Sequence, residues 1–153
     1  MKNLYHVVNA LPPVADAFAG TKYSDIINMK NYEHISFIIQ CGVGATGTAT
    51  ITVEACDDVV PSNSEAVPFV YQECVSDDTF GAITKATTAG FTTSAASNKM
   101  YKIDIDAEAL VSSGYGYIRL KSVEVADDPV LGGILAILTE AKYEQEIPDS
   151  AIV

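Results

Sequence analysis

Apolar and polar residues alternate with period two along much of this chain, and no other feature constrains its fold as strongly. In Thr48–Ala55, Ala49, Ile51, Val53 and Ala55 fall on one side, and Thr48, Thr50, Thr52 and Glu54 on the other. Successive side chains of a strand point to opposite faces, so such a segment buries one face and wets the other. Met100–Asp106 repeats the pattern, with Tyr101, Ile103 and Ile105 against Lys102, Asp104 and Asp106. In Tyr117–Val125 the alternation of Ile118 and Leu120 with Arg119 and Lys121 slips at Ser122, bringing Val123 and Val125 into the apolar phase. A one-residue slip predicts a β-bulge or a strand that changes sheet. His34–Cys41 and Val67–Val75 are further strands, and Leu4–Asn9, Asp25–Lys30 and Val130–Leu138 carry weaker strand patterns.

Helical patterns are confined to single turns. Asp106–Leu110 predicts one, with Asp106 as its cap, and Leu138–Gln145 another, stopped by Pro148. Roughly seven or eight short strands separated by Gly, Pro, Asn and Asp predict an all-β fold, a single antiparallel β-sandwich or jelly-roll-like domain with one or two short helical turns. At 153 residues the chain is one domain, 1–153, long enough to bury about 70% of its unfolded surface without a disulfide or metal. Thr84–Asn98, built mostly of Thr, Ser and Ala, reads as a surface excursion or long hairpin anchored by Phe91.

Charge narrows the function. Twenty Asp and Glu stand against nine Lys and Arg, a net −11 with Arg119 the sole arginine. Nucleic-acid binding needs clustered cations to displace counterions, so no nucleic-acid partner is expected, and an anionic membrane surface is disfavoured likewise. Asn9, Pro12, Pro13 and Asp16 break up the N-terminal region, which reads as no signal peptide, and Val130–Leu138 is too short to span a bilayer. Cys41, Cys56 and Cys74 are odd in number and lack zinc spacing, so they read as small buried hydrophobes, fitting assembly in a reducing cytoplasm.

The motifs that could carry chemistry have plainer readings. Gly42-Val43-Gly44-Ala45-Thr46-Gly47 matches G-x-G-x-x-G, but a dinucleotide site needs a helix to start there, and the following Thr-Ala-Thr-Ile-Thr-Val is a strand. The glycines read as a flexible hairpin loop, and no cofactor is expected. Asp57-Asp58, Asp77-Asp78 and Asp127-Asp128 each follow a strand; converged, they would suit Ca²⁺, whereas singly they are solvated loop acids. His6 and His34 are the only histidines, no nucleophile elbow is present, and tryptophan is absent, so catalysis is not expected.

Several segments resemble a family: Asn3–Asn9, Asp25–Tyr32, Gly47–Asp58, Asp78–Ala82 and Pro129–Leu138. Together, over nearly the whole chain, they resemble small proteins encoded by tailed bacteriophages and prophages. The resemblance implies a virion structural component, and first a capsid decoration (head auxiliary or cement) protein on the capsid exterior, assembled in the host bacterial cytoplasm. Its implied partners are the major capsid protein and copies of itself, as a homo-oligomer. Such a protein gains affinity by repeating modest contacts over many sites. A tail or head-completion protein, and a carbohydrate- or ligand-binding β-sandwich, are the competing readings. The expected contact residues are Leu4, Tyr5, Val7 and Val8 in an N-terminal arm, 1–13, and Ile147, Ala151, Ile152 and Val153 in a C-terminal arm, 145–153. The alternative is that both arms fold back onto their own domain.

Overall fold

The structure, a computed structural model, describes residues 4–143 and 146–152. It is a sandwich of two antiparallel sheets, and the longest helical element among the described residues is the 3-10 turn Ala107–Leu110. In chain order the strands are β1 Tyr5–Val14, β2 Thr21–Tyr23, β3 Ile27–Asn28, β4 Tyr32–Cys41, β5 Thr48–Cys56, β6 Ser64–Val67 and β7 Phe69–Ser76. They continue as β8 Thr79–Phe80, β9 Thr84–Ala86, β10 Phe91–Thr92, β11 Met100–Asp106, β12 Tyr117–Ala126 and β13 Gly132–Ala141. One sheet has seven strands in the order β1-β13-β4-β11-β7-β8, with β9 also on β7. The other has six, β10-β5-β12-β2, with β3 on β12 and β6 on β5.

The core lies between the sheets and is built by the alternation. Ile35, Phe37 and Ile39 of β4, with Tyr101, Ile103 and Ile105 of β11, face Ala49, Ile51 and Val53 of β5 and Ile118 and Leu120 of β12. At one end Phe91 stacks on Tyr71 with ring centroids 3.9 Å apart and 6° between planes, beside Phe69 and Tyr101. The three cysteines are free and buried. Burial pushes the Cys41 thiol from the ordinary 9.0 up to about 11.

Several local expectations need correction. Val67–Val75 is two strands, because Pro68 cannot donate to a ladder and the chain changes sheet there, from β6 to β7. The slip at Ser122 is neither a bulge nor a change of sheet. The register with β5 runs on through Ser122, which takes the core-facing position, while Val123 and Val125 face outward; the irregularity comes later, between Glu124 and Ala126. The Gly42–Gly47 segment joins two different sheets rather than two strands of a hairpin. It is packed, not loose: a Cβ on Gly47 would run into the Asp128 carbonyl oxygen and the Val130 side chain. Thr84–Asn98 likewise crosses between sheets, contributing β9 to one and β10 to the other, and Phe91 is part of the core. β13 runs to Ala141 where a helical turn was expected from Leu138; residues 144 and 145 lie outside the described residues.

Candidate functional site

The outer faces of the two sheets differ. On the six-stranded sheet, Thr48, Thr50 and Thr52 stand beside an ion-paired group. Arg119 donates from Nε and Nη2 to Glu54 Oε2 at 2.9 and 2.7 Å, Lys121 Nζ lies 3.2 Å from Glu54 Oε1, and the guanidinium sits 4.0 Å from the Tyr23 ring centroid. The sole arginine is thus engaged within its own domain. Val123 and Val125, with the Tyr23 ring beneath the guanidinium, are exposed apolar groups on this side.

The seven-stranded sheet is divided along its strands. At the end where β4 finishes and β13 begins, a groove of about 680 Å³ crosses its outer face. Ile38, Met100 and Leu135 form the floor, Asn9, Leu11 and Pro13 one wall, and Val75–Asp77 with Ser97–Lys99 the other. Leu131 and Leu135 are 45% and 43% exposed, and Val75 at the rim 64%. The apolar surface continues along β13 through Ile137 to Val7 and Tyr5 on β1, 50% and 61% exposed. Large side chains held on a rigid sheet and left in water mark a surface that gains by being covered.

Toward the other end the same face turns polar. The His34 ring nitrogens lie 2.7 Å from Asp106 Oδ1 and 3.2 Å from Ser36 Oγ, Ser36 Oγ donates to Asp104 Oδ1 at 2.5 Å, and Lys102 Nζ is 3.1 Å from Asp104 Oδ2. A second hollow, of about 670 Å³, opens beside it with Lys85, Asp104, Asp106 and Glu108 on its lining. Asp106, expected to cap the helical turn, makes no side-chain cap bond there. The order Asp106–His34–Ser36 has the connectivity of a hydrolytic triad, yet the Ser36 hydroxyl donates to a carboxylate. β4 is also paired on both sides, to β13 and β11, so its backbone N–H groups belong to the ladders and none forms an oxyanion hole beside Ser36. Sequence reasoning missed this group because His34 and Asp106 are 72 residues apart. Outward positions of β4 and β11 are legible, but their pairing is not.

The contact residues expected from sequence fall into different places. Tyr5, Val7 and Val8 belong to β1, the edge strand of the larger sheet, and Leu4 precedes it, 77% exposed. Leu4, Tyr5 and Val7 face water, but Val8 is 4% exposed and points into the core, so its side chain offers nothing to a partner. Of the C-terminal residues, Ile147 is 83% exposed. Ala151 is buried: Asn28 N–H donates to its carbonyl at 2.9 Å, and Ile152 bridges to Ile27. The segment thus returns to its own domain near Tyr32, whose hydroxyl is pushed up by burial and then by the Asp149 carboxylate. Val153 lies outside the described residues.

The three acidic pairs do not all meet at one end of the sandwich. β5 and β12 are antiparallel, with Cys56 opposite Tyr117 and Thr48 opposite Ala126, so Asp57-Asp58 and Asp127-Asp128 sit at opposite ends of the sheet, on the order of 30 Å apart. They hold loops instead. Asp57 accepts from Asn63 Nδ2, Asn63 N–H and Ser62 N–H, bonds led by the Asn63 amide that draw its carboxyl below the usual range. Asp128 accepts from Thr46 Oγ1 at 2.7 Å, tying the Gly42–Gly47 crossing down. Among the described residues no three His, Cys, Asp or Glu side chains come together as a metal site.

No family model and no curated protein matches the chain. Among solved structures it is similar to SPBc2 prophage-derived protein YomS, at 15% identity and a TM-score of 0.46, covering 89% of this chain and 93% of that one.

Proposed function

We propose that this chain is a non-enzymatic virion structural protein of a tailed phage, a capsid decoration protein that binds the outer shell. Its partners in this reading are the major capsid protein and copies of itself. The observation that carries the proposal is the asymmetry between the faces: a continuous apolar groove and stripe on the seven-stranded sheet, against threonines, self-satisfied ion pairs and the isolated Val123 and Val125 on the other. A cement protein needs one face to cover and one to leave in water. The family resemblance of the sequence supports the same role, and the dispersed net charge of −11 suits an exterior position, away from packaged phosphates.

Binding to purified capsids that lack the protein tests this. The wild type should co-sediment with shells, and Leu135→Asp, which puts a charge on the groove floor where the side chain already meets water, should lose at least tenfold in affinity while keeping its β circular-dichroism spectrum. Equal binding by that variant, or no binding by the wild type, would overturn the reading.

A further inference from the structure

The bare edge of β1 is open over a short stretch, and its pattern of free groups matches itself. Cys41 N–H donates to Lys99 O at 2.8 Å, toward β11, whereas Gly42 N–H donates to Leu131 O at 2.6 Å, toward β13. Alternate residues of a strand bond to opposite neighbours. Counting back along β4 assigns Ser36, Ile38 and Gln40 to β13, which leaves Ala136 and Leu138 of β13 bonding to β1. Their opposite residues are Val8 and His6. Tyr5, Val7 and Asn9 therefore turn their N–H and C=O groups away from the sheet.

Beyond that stretch the edge is closed. The Ala10 carbonyl accepts from Asp25 N–H at 2.7 Å, the register shifts after Asn9, and Pro12 and Pro13 have no N–H to offer. Among the described residues no other backbone bond reaches Tyr5, Val7 or Asn9. Three residues with open groups remain, centred on Val7.

We propose that two copies of this chain pair antiparallel through β1 about a two-fold axis at Val7. Val7 exchanges two hydrogen bonds with its counterpart, and each Tyr5 exchanges two with Asn9 of the other copy, joining the two seven-stranded sheets into one. A shift of one residue sets open groups against groups already bonded to β13, and a shift of two leaves part of the stretch unmatched, so the register is unique. The occupant is a second copy because the pattern is self-complementary and the strand is uncharged. Leu4–Val14 contains no Asp, Glu, Lys or Arg in a chain of net −11, so copies meet where like-charge repulsion is least. Pairing also brings the exposed side chains of Val7 together across the axis and sets each Tyr5 beside Asn9, extending the apolar stripe. This inference stands whether or not the protein is part of a virion.

Disulfide trapping in the full-length chain tests the register. Paired, hydrogen-bonded residues have Cα atoms about 5.5 Å apart, within disulfide reach. Val7→Cys should oxidise to a dimer. Tyr5→Cys alone should not, whereas the double variant Tyr5→Cys/Asn9→Cys should. Sedimentation equilibrium should find a concentration-dependent dimer of the wild type, weakened at least tenfold by Val7→Lys and by Val7→Pro, whose lost N–H serves nothing within the monomer, and unchanged by Val125→Lys on the other sheet. A wild type that stays monomeric up to millimolar concentration, efficient cross-linking of Tyr5→Cys alone, or a dimer indifferent to Val7→Lys would overturn the proposal.

Discussion

At the scale of single residues, the fold depends on a few close approaches and buried groups. Gly47 lies against the Asp128 carbonyl and Val130, so Gly47→Ala should destabilise the protein by about 2 kcal/mol or more in a urea titration. Arg119→Met leaves Glu54, largely buried, with Lys121 as its remaining cation, and should cost about 1–2 kcal/mol, a part of what breaking a fully buried pair costs. The pH dependence follows from Cys41 and Tyr101, which burial pushes up from 9.0 to about 11 and from 10.0 to about 12. Both are protonated in the folded and unfolded states below pH 9. Above it the unfolded chain loses protons first, so stability should fall as pH rises from 9 toward 12. Denaturation midpoints at a series of alkaline pH values measure this, and Tyr101→Phe should flatten the upper part of the fall while leaving Ser94 N–H without the hydroxyl that now accepts from it.

At the scale of elements, the alternation of Thr48–Ala55 and Met100–Asp106 was enough to find β5 and β11 and to assign their buried faces. It was not enough to assign sheets. Whether Gly42–Gly47 turns back into the same sheet or crosses to the other depends on packing against Val130, which no local pattern encodes. Ser122 misled for a related reason: a serine fills a core-facing position and two valines face water, so tertiary register overrides composition. The site was legible only in part. Tyr5 and Val7 were expected at a contact surface, but so was Val8, which the pairing with β13 turns into the core, and the groove needs β1, β13, β4, β11 and the β7–β8 turn side by side. The C-terminal segment carries its own prediction. Because Ala151 is buried and Ile152 bridges to Ile27, truncation after Tyr143 should lower stability by about 1–3 kcal/mol in chemical denaturation. Unchanged stability would instead mark the segment as an arm that serves a neighbour.

At the scale of the whole molecule, the two outer faces of the sandwich differ in character. The six-stranded sheet meets water with threonines, ion-paired charges and the exposed Val123 and Val125, and the seven-stranded sheet presents an apolar groove and stripe, an uncharged edge and, toward its other end, the His34–Asp106 group. The acids are spread over loops and wet faces, where Asp57 and Asp128 fix turns and crossings, and Asp104, Asp106 and Glu108 share a hollow with Lys85. On a shell, dimer pairing through β1 and docking through the groove would act together, and many repeats would make modest contacts sufficient. Cryo-microscopy of purified particles containing the protein tests this account most directly. It predicts density on the capsid exterior, with the groove around Ile38, Met100 and Leu135 against the major capsid protein and the six-stranded sheet facing solvent. Density lining the interior, or confined to the portal or tail, or docked through the six-stranded sheet, would contradict it.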